Sequence, residues 1–194
     1  IIAARHHQLG EEAHLGTVYT SEQTHHSITK AALHVGIPRK QIRLLPVDST
    51  YRLDHDQAAR AIEADRNSGL KPFLLVSPAG TTNTGAIDDL VKGRQLADKF
   101  SLWWHVDAAY GGFFMLTDRG RRRLVGMEAA DSITIDPHKG LFLPYGTGCL
   151  LVKELTRLRA ACNLRGDYMP RQEDESLDRF DACDLSPDCL LYTS

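Results

Sequence analysis

The sequence has few cysteines, no long apolar run and no excess of one charge. Its four cysteines have neither the paired spacing of a zinc site nor the density of a secreted disulfide scaffold. No apolar run approaches the roughly 20 residues that span a bilayer, and the first residues lack a signal-peptide pattern. The 23 basic and 25 acidic residues are mixed along the chain, which favours neither nucleic acid nor an anionic membrane. We therefore expect a cytoplasmic protein whose partners are small molecules and other subunits.

The sequence does contain an alternation of strand and helix patterns. Apolar, β-branched runs predict buried strands at 42–47, 73–78, 101–107, 131–136 and 148–153. Helical spacing predicts helices at 24–35, 54–67 and 88–100, the last two opening with a capping aspartate. Because parallel strands need crossovers, this order predicts an α/β domain with a mainly parallel sheet covered by helices on both faces.

The predicted domain occupies residues 1–162 of the 194. We expect residues 163–188, which are rich in acidic residues and contain two prolines, to form an exposed loop that needs a partner to become ordered. Ile1 enters what looks like the middle of a helix, so we expect the start to be a cut. The final letters, CLLYTS at 189–194, are expected to be translated sequencing-adapter DNA without functional meaning.

Ligands of open α/β sheets bind beyond the carboxyl ends of the strands, so the residues after each strand are the candidates for chemistry. The strand at 73–78 is followed by AGTTNTG, a run that also suits an ordinary turn. The strand at 101–107 ends in Asp107, followed by small residues that leave room for a planar ring. Asp107 could instead cap a turn, or bind a metal together with His105, although no third ligand joins them at a recognisable spacing.

Lys139 follows the strand at 131–136, directly after His138. A single loop lysine is usually solvated, but an amine between sheet and helix can become a nucleophile towards an aldehyde. A Schiff-base lysine combined with an aspartate for the pyridinium nitrogen is the pair that a pyridoxal 5'-phosphate (PLP) enzyme requires. Asp107 and Lys139 therefore predict PLP as the cofactor.

Four motifs in this order closely resemble the group II PLP-dependent amino-acid decarboxylases, which act on aromatic amino acids, glutamate, histidine and diaminobutyrate. The motifs are VYTSEQTHHSITKAALHVGI (18–37), LLVSPAGTTNTGAIDDL (74–90), WHVDAAYGG (104–112) and DSITIDPHKG (131–140). HVDAAY followed by DPHK is highly specific for this group. The resemblance extends over residues 1–188 and implies the large domain of the type I fold of PLP-dependent transferases.

Residue by residue, the resemblance implies that Lys139 forms the Schiff base, that Asp107 holds the pyridine nitrogen and that Ala109 faces the ring. His25 matches the histidine that stacks on the opposite face of the cofactor and contacts the substrate, while His26 is a structural neighbour. Without the motif, an isolated histidine is more often an ordinary satisfied or exposed side chain.

Two further positions match the family pattern and one departs from it. Thr82 matches the hydroxyl that buttresses the cofactor near Asp107, and His138 matches the imidazole near the phosphate. Gly140 stands where the family often has an aromatic or other large residue, which implies a different pocket wall. The resemblance also implies a phosphate-binding segment before Ile1 and a small carboxyl-terminal domain, so we expect this fragment alone to be inactive.

The type of reaction depends on Tyr168, because the fold supports several PLP reactions. Tyr168 lies 29 positions after Lys139, where the family carries a tyrosine on a mobile loop that reaches the other subunit's active site. The resemblance makes it the acid that protonates the substrate after carbon dioxide leaves, in a homodimeric L-amino-acid decarboxylase. The alternatives are an exposed loop tyrosine, a PLP-dependent carbon–carbon (aldehyde) lyase, a non-catalytic remnant and, remotely, a metal-dependent hydrolase.

Overall fold

A six-stranded sheet forms the centre of the protein in the computed structural model, which describes residues 1–162. The spatial order is β2-β1-β3-β4-β5-β6, in which β6 is antiparallel to β5 and every other pairing is parallel. In chain order the strands are β1 (Gly16–Ser21), β2 (Ile42–Leu45), β3 (Lys71–Pro78), β4 (Trp103–Asp107), β5 (Ser132–Ile135) and β6 (Cys149–Val152). The mainly parallel α/β sheet predicted from the sequence is confirmed.

Seven α-helices accompany the strands within residues 1–162, and none of them is long and apolar enough to cross a bilayer. They are α1 (Ile2–Leu9), α2 (His26–His34), α3 (His55–Asn67), α4 (Leu90–Lys99), α5 (Asp118–Arg123), α6 (Pro137–Gly140) and α7 (Leu155–Cys162). Four short 3₁₀ turns lie at Gly10–Leu15, Arg39–Gln41, Gly112–Leu116 and Met127–Ala129.

Two hydrophobic cores lie on the two faces of the sheet. One packs α3 and α4 against Leu75 and Trp104, and the other packs α1 and α2 against Leu74 and Trp103. Neighbouring residues of one strand contribute to opposite cores because successive side chains of a strand point to opposite faces. This explains why β3 and β4 are almost continuously apolar: both of their faces are covered.

Strand β1 was not among the predicted strands, although it lies inside the sheet between β2 and β3. Hydroxyl side chains interrupt its apolar pattern, yet all six of its residues are buried. Thr17 Oγ1 lies 2.8 Å from Tyr19 Oη, and Tyr19 Oη donates a hydrogen bond of 2.6 Å to Asp65 Oδ2. These polar groups are tolerated in the core because each has a hydrogen-bonding partner.

Of the two aspartates predicted to cap helices, one does so in the structure and the other does not. Asp54 caps α3, with its carboxylate accepting from the backbone N–H groups of Asp56 and Gln57. The prediction that Asp88 opens the next helix is wrong, because Asp89 caps α4 by accepting from Lys92 N at 3.0 Å. Asp88 instead points inward.

Asp88 is a buried carboxyl that ties two loops together. Its Oδ1 accepts from Leu53 N at 2.9 Å, and its Oδ2 is buried without a hydrogen-bonding partner among residues 1–162. It lines a cleft of about 340 Å³ to which none of the predicted site residues contributes. Burial raises the pKa of Asp88 from its usual 3.8 to about 7, opposed by the hydrogen bond from Leu53.

Replacing Asp88 by asparagine should change how stability depends on pH. Folded Asp88 holds its proton up to about pH 7, whereas an unfolded aspartate releases it near 3.8, so this group's contribution to stability falls as pH rises through that window. A shift of about three units corresponds to about 4 kcal/mol. The free energy of unfolding of Asp88→Asn minus that of the wild type, both as full-length proteins, should therefore increase from pH 4 to pH 8.

Chemical unfolding at the two pH values measures this difference, with Asp54→Asn as the control because asparagine also caps helices. A gap between wild type and Asp88→Asn that stays constant from pH 4 to pH 8 would show that Asp88 ionises normally in the folded protein.

Candidate active site

The carboxyl ends of β1, β3, β4 and β5 meet at one edge of the sheet because these strands are parallel. Pro78, the last residue of β3, lies opposite Asp107, the last residue of β4, and Asp107 also lies opposite Thr134 of β5. The segments that leave these strands carry the predicted site residues. His25 follows β1, Thr82 follows β3, Ala109 follows β4, and both His138 and Lys139 follow β5.

Asp107 is half-buried at this edge. Its Oδ1 accepts from Ala109 N at 3.2 Å, which is its one side-chain hydrogen bond within residues 1–162. Burial raises the pKa of Asp107, while the Ala109 hydrogen bond and the charges of Lys139 and His25 oppose the rise. Asp107, Lys139 and His25 lie on or shortly after strands whose carboxyl ends share one edge of the sheet.

Lys139 lies in α6, the short helix that leaves β5, and its side chain is 42% exposed. Lys139 Nζ forms an ion pair of 2.8 Å with Asp136 Oδ2. Asp136 N donates to Ala109 O at 3.2 Å, which links the segments after β4 and β5. Asp136 was not predicted as a site residue, although its position three residues before Lys139 at a helix start was a usable signal.

His25 is exposed and caps α2 with its ring. Its Nδ1 lies 2.8 Å from Ser27 Oγ and accepts from Ser27 N at 3.4 Å. The ring of His26 lies beside it, with 4.1 Å between centroids and an angle of 45°. His25 thus occupies a defined position between the end of β1 and the start of α2.

His138 is held by the segment that precedes β6. Its Nδ1 donates to the backbone oxygen of Thr147 at 2.5 Å, and its ring makes an edge contact with Tyr145 at 5.0 Å between centroids. Its Nε2 lies 4.0 Å from Asp136 Oδ2. The ring therefore belongs to the same cluster as Lys139 and Asp136, while its predicted role near a phosphate stays a prediction.

Thr82 lies in the loop after β3 and is exposed, with no hydrogen bond to Asp107 in the described part of the chain. The neighbouring Thr81 is buried instead, and its Oγ1 lies 2.7 Å from Thr84 Oγ1 and accepts from Ala86 N. The two roles could not be distinguished in the sequence because both threonines stand in one run of hydroxyl residues. The cofactor contact of Thr82 stays a prediction.

The small residues after Asp107 have a packing role that the sequence did not reveal. A Cβ on Gly111 would lie 2.0 Å from Ala79 O, and one on Gly112 would lie 2.5 Å from Ile135 Cγ2. Both glycines therefore allow the segments after β3, β4 and β5 to approach each other. Ala109, whose side chain is small and half-buried, is the residue beside Asp107.

Gly140, the departure from the family pattern, faces Phe113. A Cβ on Gly140 would lie 2.8 Å from the Cβ of Phe113. Phe113 thus fills the space that a side chain at position 140 would need, and sequence reasoning could not pair two residues on different strand-end segments.

His105, the candidate metal partner of Asp107, is engaged by two hydroxyls. Its Nδ1 lies 2.8 Å from Ser132 Oγ, and its Nε2 lies 3.1 Å from Thr134 Oγ1. Burial lowers the pKa of His105 to about 3, so the ring is neutral at physiological pH. Within residues 1–162 no group of three or more His, Cys, Asp or Glu side chains could hold a metal. Tyr168, the predicted proton donor, lies outside the described residues.

The groups at this edge fit a pyridine aldehyde cofactor. A half-buried carboxylate with one hydrogen bond can accept a pyridinium N–H, and the primary amine of Lys139 can condense with an aldehyde. The small Ala109 and the ring of His25 can flank a planar group. An α/β sheet with this set of residues at its carboxyl edge has the groups that the PLP-dependent class of enzymes requires.

Comparison with known proteins identifies the family. The model of the pyridoxal-dependent decarboxylase conserved domain matches residues 4–185, so the chain belongs to this family. An aromatic-L-amino-acid decarboxylase of Bacillus atrophaeus is 35% identical over 89% of this chain, which covers 36% of that protein. Tryptophan decarboxylase TDC1 of Camptotheca acuminata is 38% identical over 82% of this chain and 32% of its own length.

A solved structure supports the same assignment. The crystal structure of Oryza sativa TDC with PLP and tryptamine superposes with a TM-score of 0.87 at 31% identity, over 94% of this chain and 39% of that one. The chain thus spans about a third of the length of the curated relatives it matches. The predicted family and the predicted type of fold are confirmed.

Proposed function

We propose that the parent enzyme uses PLP to decarboxylate an L-amino acid to the amine and carbon dioxide. The observation that carries the proposal is that Asp107 and Lys139 stand at the carboxyl ends of the neighbouring strands β4 and β5, in a chain of the pyridoxal-dependent decarboxylase family. When bound, the cofactor supplies an electron sink for the bond that breaks at the α-carbon of the substrate.

Each residue of the site has a defined task in this proposal. Lys139 provides the amine that holds the cofactor aldehyde covalently, and Asp136, its ion-pair partner, orients that amine. Asp107 accepts the hydrogen bond of the pyridine N–H and keeps that nitrogen protonated. Ala109 and His25 lie against the two faces of the ring, and the ring of His25 also contacts the substrate. Thr82 supports the cofactor near Asp107, and His138 contributes near its phosphate.

Tyr168 completes the reaction by giving a proton to the α-carbon after carbon dioxide has left. We assign residues 1–162 to the large PLP-binding domain and 163–188 to a loop that carries Tyr168 into the active site of a second subunit. Closure of that loop also excludes water.

A cytoplasmic homodimer is part of the proposal. Apolar side chains along the segment before and within β6 are strongly exposed, with Phe142 and Tyr145 each at 94%, which suits contact with another protein surface. Within residues 1–162, Cys149 and Cys162 form no disulfide, which supports a reducing compartment. Size-exclusion chromatography with light scattering on the full-length enzyme measures the assembly, and a monomer would contradict it.

A product assay tests the reaction directly. Full-length enzyme is incubated with PLP and a panel of L-amino acids, beginning with the aromatic ones because of the similarity to aromatic-amino-acid and tryptophan decarboxylases. We expect equal amounts of amine and carbon dioxide from at least one substrate. Formation of an aldehyde by carbon–carbon cleavage, without carbon dioxide, would favour the lyase alternative.

Tyr168→Phe should lower amine formation by about 10²-fold and change the apparent substrate affinity little. The substitution keeps the ring but removes the hydroxyl that gives the proton. Some turnover should then be diverted to aldehyde and ammonia, with oxygen consumed. A balance of amine, aldehyde and carbon dioxide under air measures this, and unchanged amine output would reduce Tyr168 to an ordinary loop residue.

A further inference from the structure

Ser27 surrounds one nitrogen of His25 with two donors. The backbone N–H of Ser27 points at His25 Nδ1 from 3.4 Å, and the hydroxyl of Ser27 lies 2.8 Å from the same nitrogen. Ser27 is the second residue of α2, and its backbone N–H has no acceptor within the helix because it belongs to the first turn. His25 therefore caps the helix through its ring.

The contact determines which nitrogen of the neutral ring carries the proton. A backbone N–H can only donate, so its contact favours a bare, accepting Nδ1, but at 3.4 Å this contact is weak by itself. The Ser27 hydroxyl, 2.8 Å from the same nitrogen, then donates to it and supplies the larger part of the preference. In a neutral imidazole whose Nδ1 is bare, the proton resides on Nε2.

We propose that Ser27 is a positioning residue that holds His25 in the Nε2–H form, so that Nε2 remains available to donate to a ligand at the carboxyl edge of the sheet. The inference rests on the proposed function in one respect, the placement of His25 against the cofactor and substrate. It extends that function by assigning the ring a hydrogen-bonding role: His25 donates to an oxygen of the bound ligand and does not accept a proton there.

Hydrogen bonds to the sheet hold the backbone just before His25, whereas the His25 ring is held by Ser27. Thr24 N donates to Ser21 O at 3.0 Å, and Thr24 Oγ1 lies 2.5 Å from Thr20 Oγ1, so the bend after β1 is anchored to the sheet. The ring itself is exposed, and within the described residues its ring contacts are with Ser27 and His26. Without the Ser27 hydroxyl, water competes for Nδ1 and the preference for one proton position weakens.

The ligand atom that matches an Nε2–H donor is an oxygen acceptor, such as a carboxylate oxygen of an amino acid. Two substitutions of His25 show whether the donor is needed at the position of Nε2 or at the position of Nδ1. Glutamine places an amide N–H group near the position of Nε2, whereas asparagine is shorter and reaches only the position of Nδ1. His25→Gln should retain more activity than His25→Asn, and the reverse order would contradict a donor role.

Nitrogen NMR of the ring tests the proton position without any turnover. Full-length enzyme labelled with ¹⁵N-histidine is measured without cofactor at alkaline pH, where imidazoles are neutral, and His25→Gln identifies the His25 signals. We expect a protonated Nε2 and a bare Nδ1 in the wild type and in Ser27→Thr, which keeps the hydroxyl. Ser27→Ala, which keeps the backbone N–H, should show a mixture of the two forms.

Kinetics adds the functional readout. Ser27→Ala should lower kcat/KM by roughly 5- to 10-fold, the effect of one weakened hydrogen bond, and Ser27→Thr should restore it. A protonated Nδ1 in the wild type, or identical spectra for wild type and Ser27→Ala, would overturn the proposal. The spectra require no activity, so they test the proton position of His25 independently of the reaction. Failure of the decarboxylase assay would count only against the proposed function.

Discussion

Lys139→Ala in the full-length enzyme is expected to abolish both covalent cofactor binding and turnover. Lys139 follows the carboxyl end of β5, the strand that pairs with β4, which ends in Asp107. Loss of the amine removes the covalent attachment and should reduce turnover by about 10⁴-fold or more. The absorbance of the bound cofactor near the blue edge of the visible should disappear.

Two further variants make the Lys139 result specific. Lys139→Arg keeps a cation beside Asp136 and so separates loss of the amine from loss of the ion pair, and it should be as inactive as Lys139→Ala. Lys153→Ala removes an exposed lysine just after β6 and should leave absorbance and turnover unchanged. Retention of the absorbance band in both Lys139 variants would contradict the assignment.

Asp107→Asn is expected to reduce turnover by about 10²- to 10³-fold while reducing cofactor loading far less. The side chain keeps its shape and its place beside Ala109, so the fold should persist. What disappears is the negative charge that keeps the pyridine nitrogen protonated, and with it the strongest electron withdrawal by the ring.

Comparison of turnover with bound cofactor measures the effect of Asp107→Asn. Cofactor content is determined after release with alkali, and circular dichroism checks the fold. Asp118→Asn, at the exposed start of α5, serves as the matched control. Near-native turnover in Asp107→Asn would refute the role given to this carboxylate.

The sequence was sufficient to predict the positions that follow strands. Asp107 is the last residue of one apolar run and Lys139 is the fourth residue after the next, and parallel strands bring such ends to one edge. Burial of both faces of β3 and β4 made those runs apolar and therefore recognisable. The order of motifs then identified the family, which the match over residues 4–185 confirms.

Features that depend on contacts between distant segments were not predictable. Strand β1 was missed because its core-facing hydroxyls are satisfied by residues such as Asp65, far away in sequence. Asp88 was predicted to cap a helix. Its inward orientation could not be predicted because it depends on a hydrogen bond from Leu53 N, which lies in a distant segment. The pairing of Gly140 with Phe113 likewise requires the sheet to be assembled.

Reductive trapping of the cofactor identifies the lysine that holds it. Full-length enzyme loaded with PLP is treated with borohydride, digested and analysed by mass spectrometry to locate the modified lysine. We expect a single modified peptide that contains Asp136, Pro137, His138 and modified Lys139. A cofactor found on Lys99 or Lys153, or on no lysine of the enzyme, would contradict it.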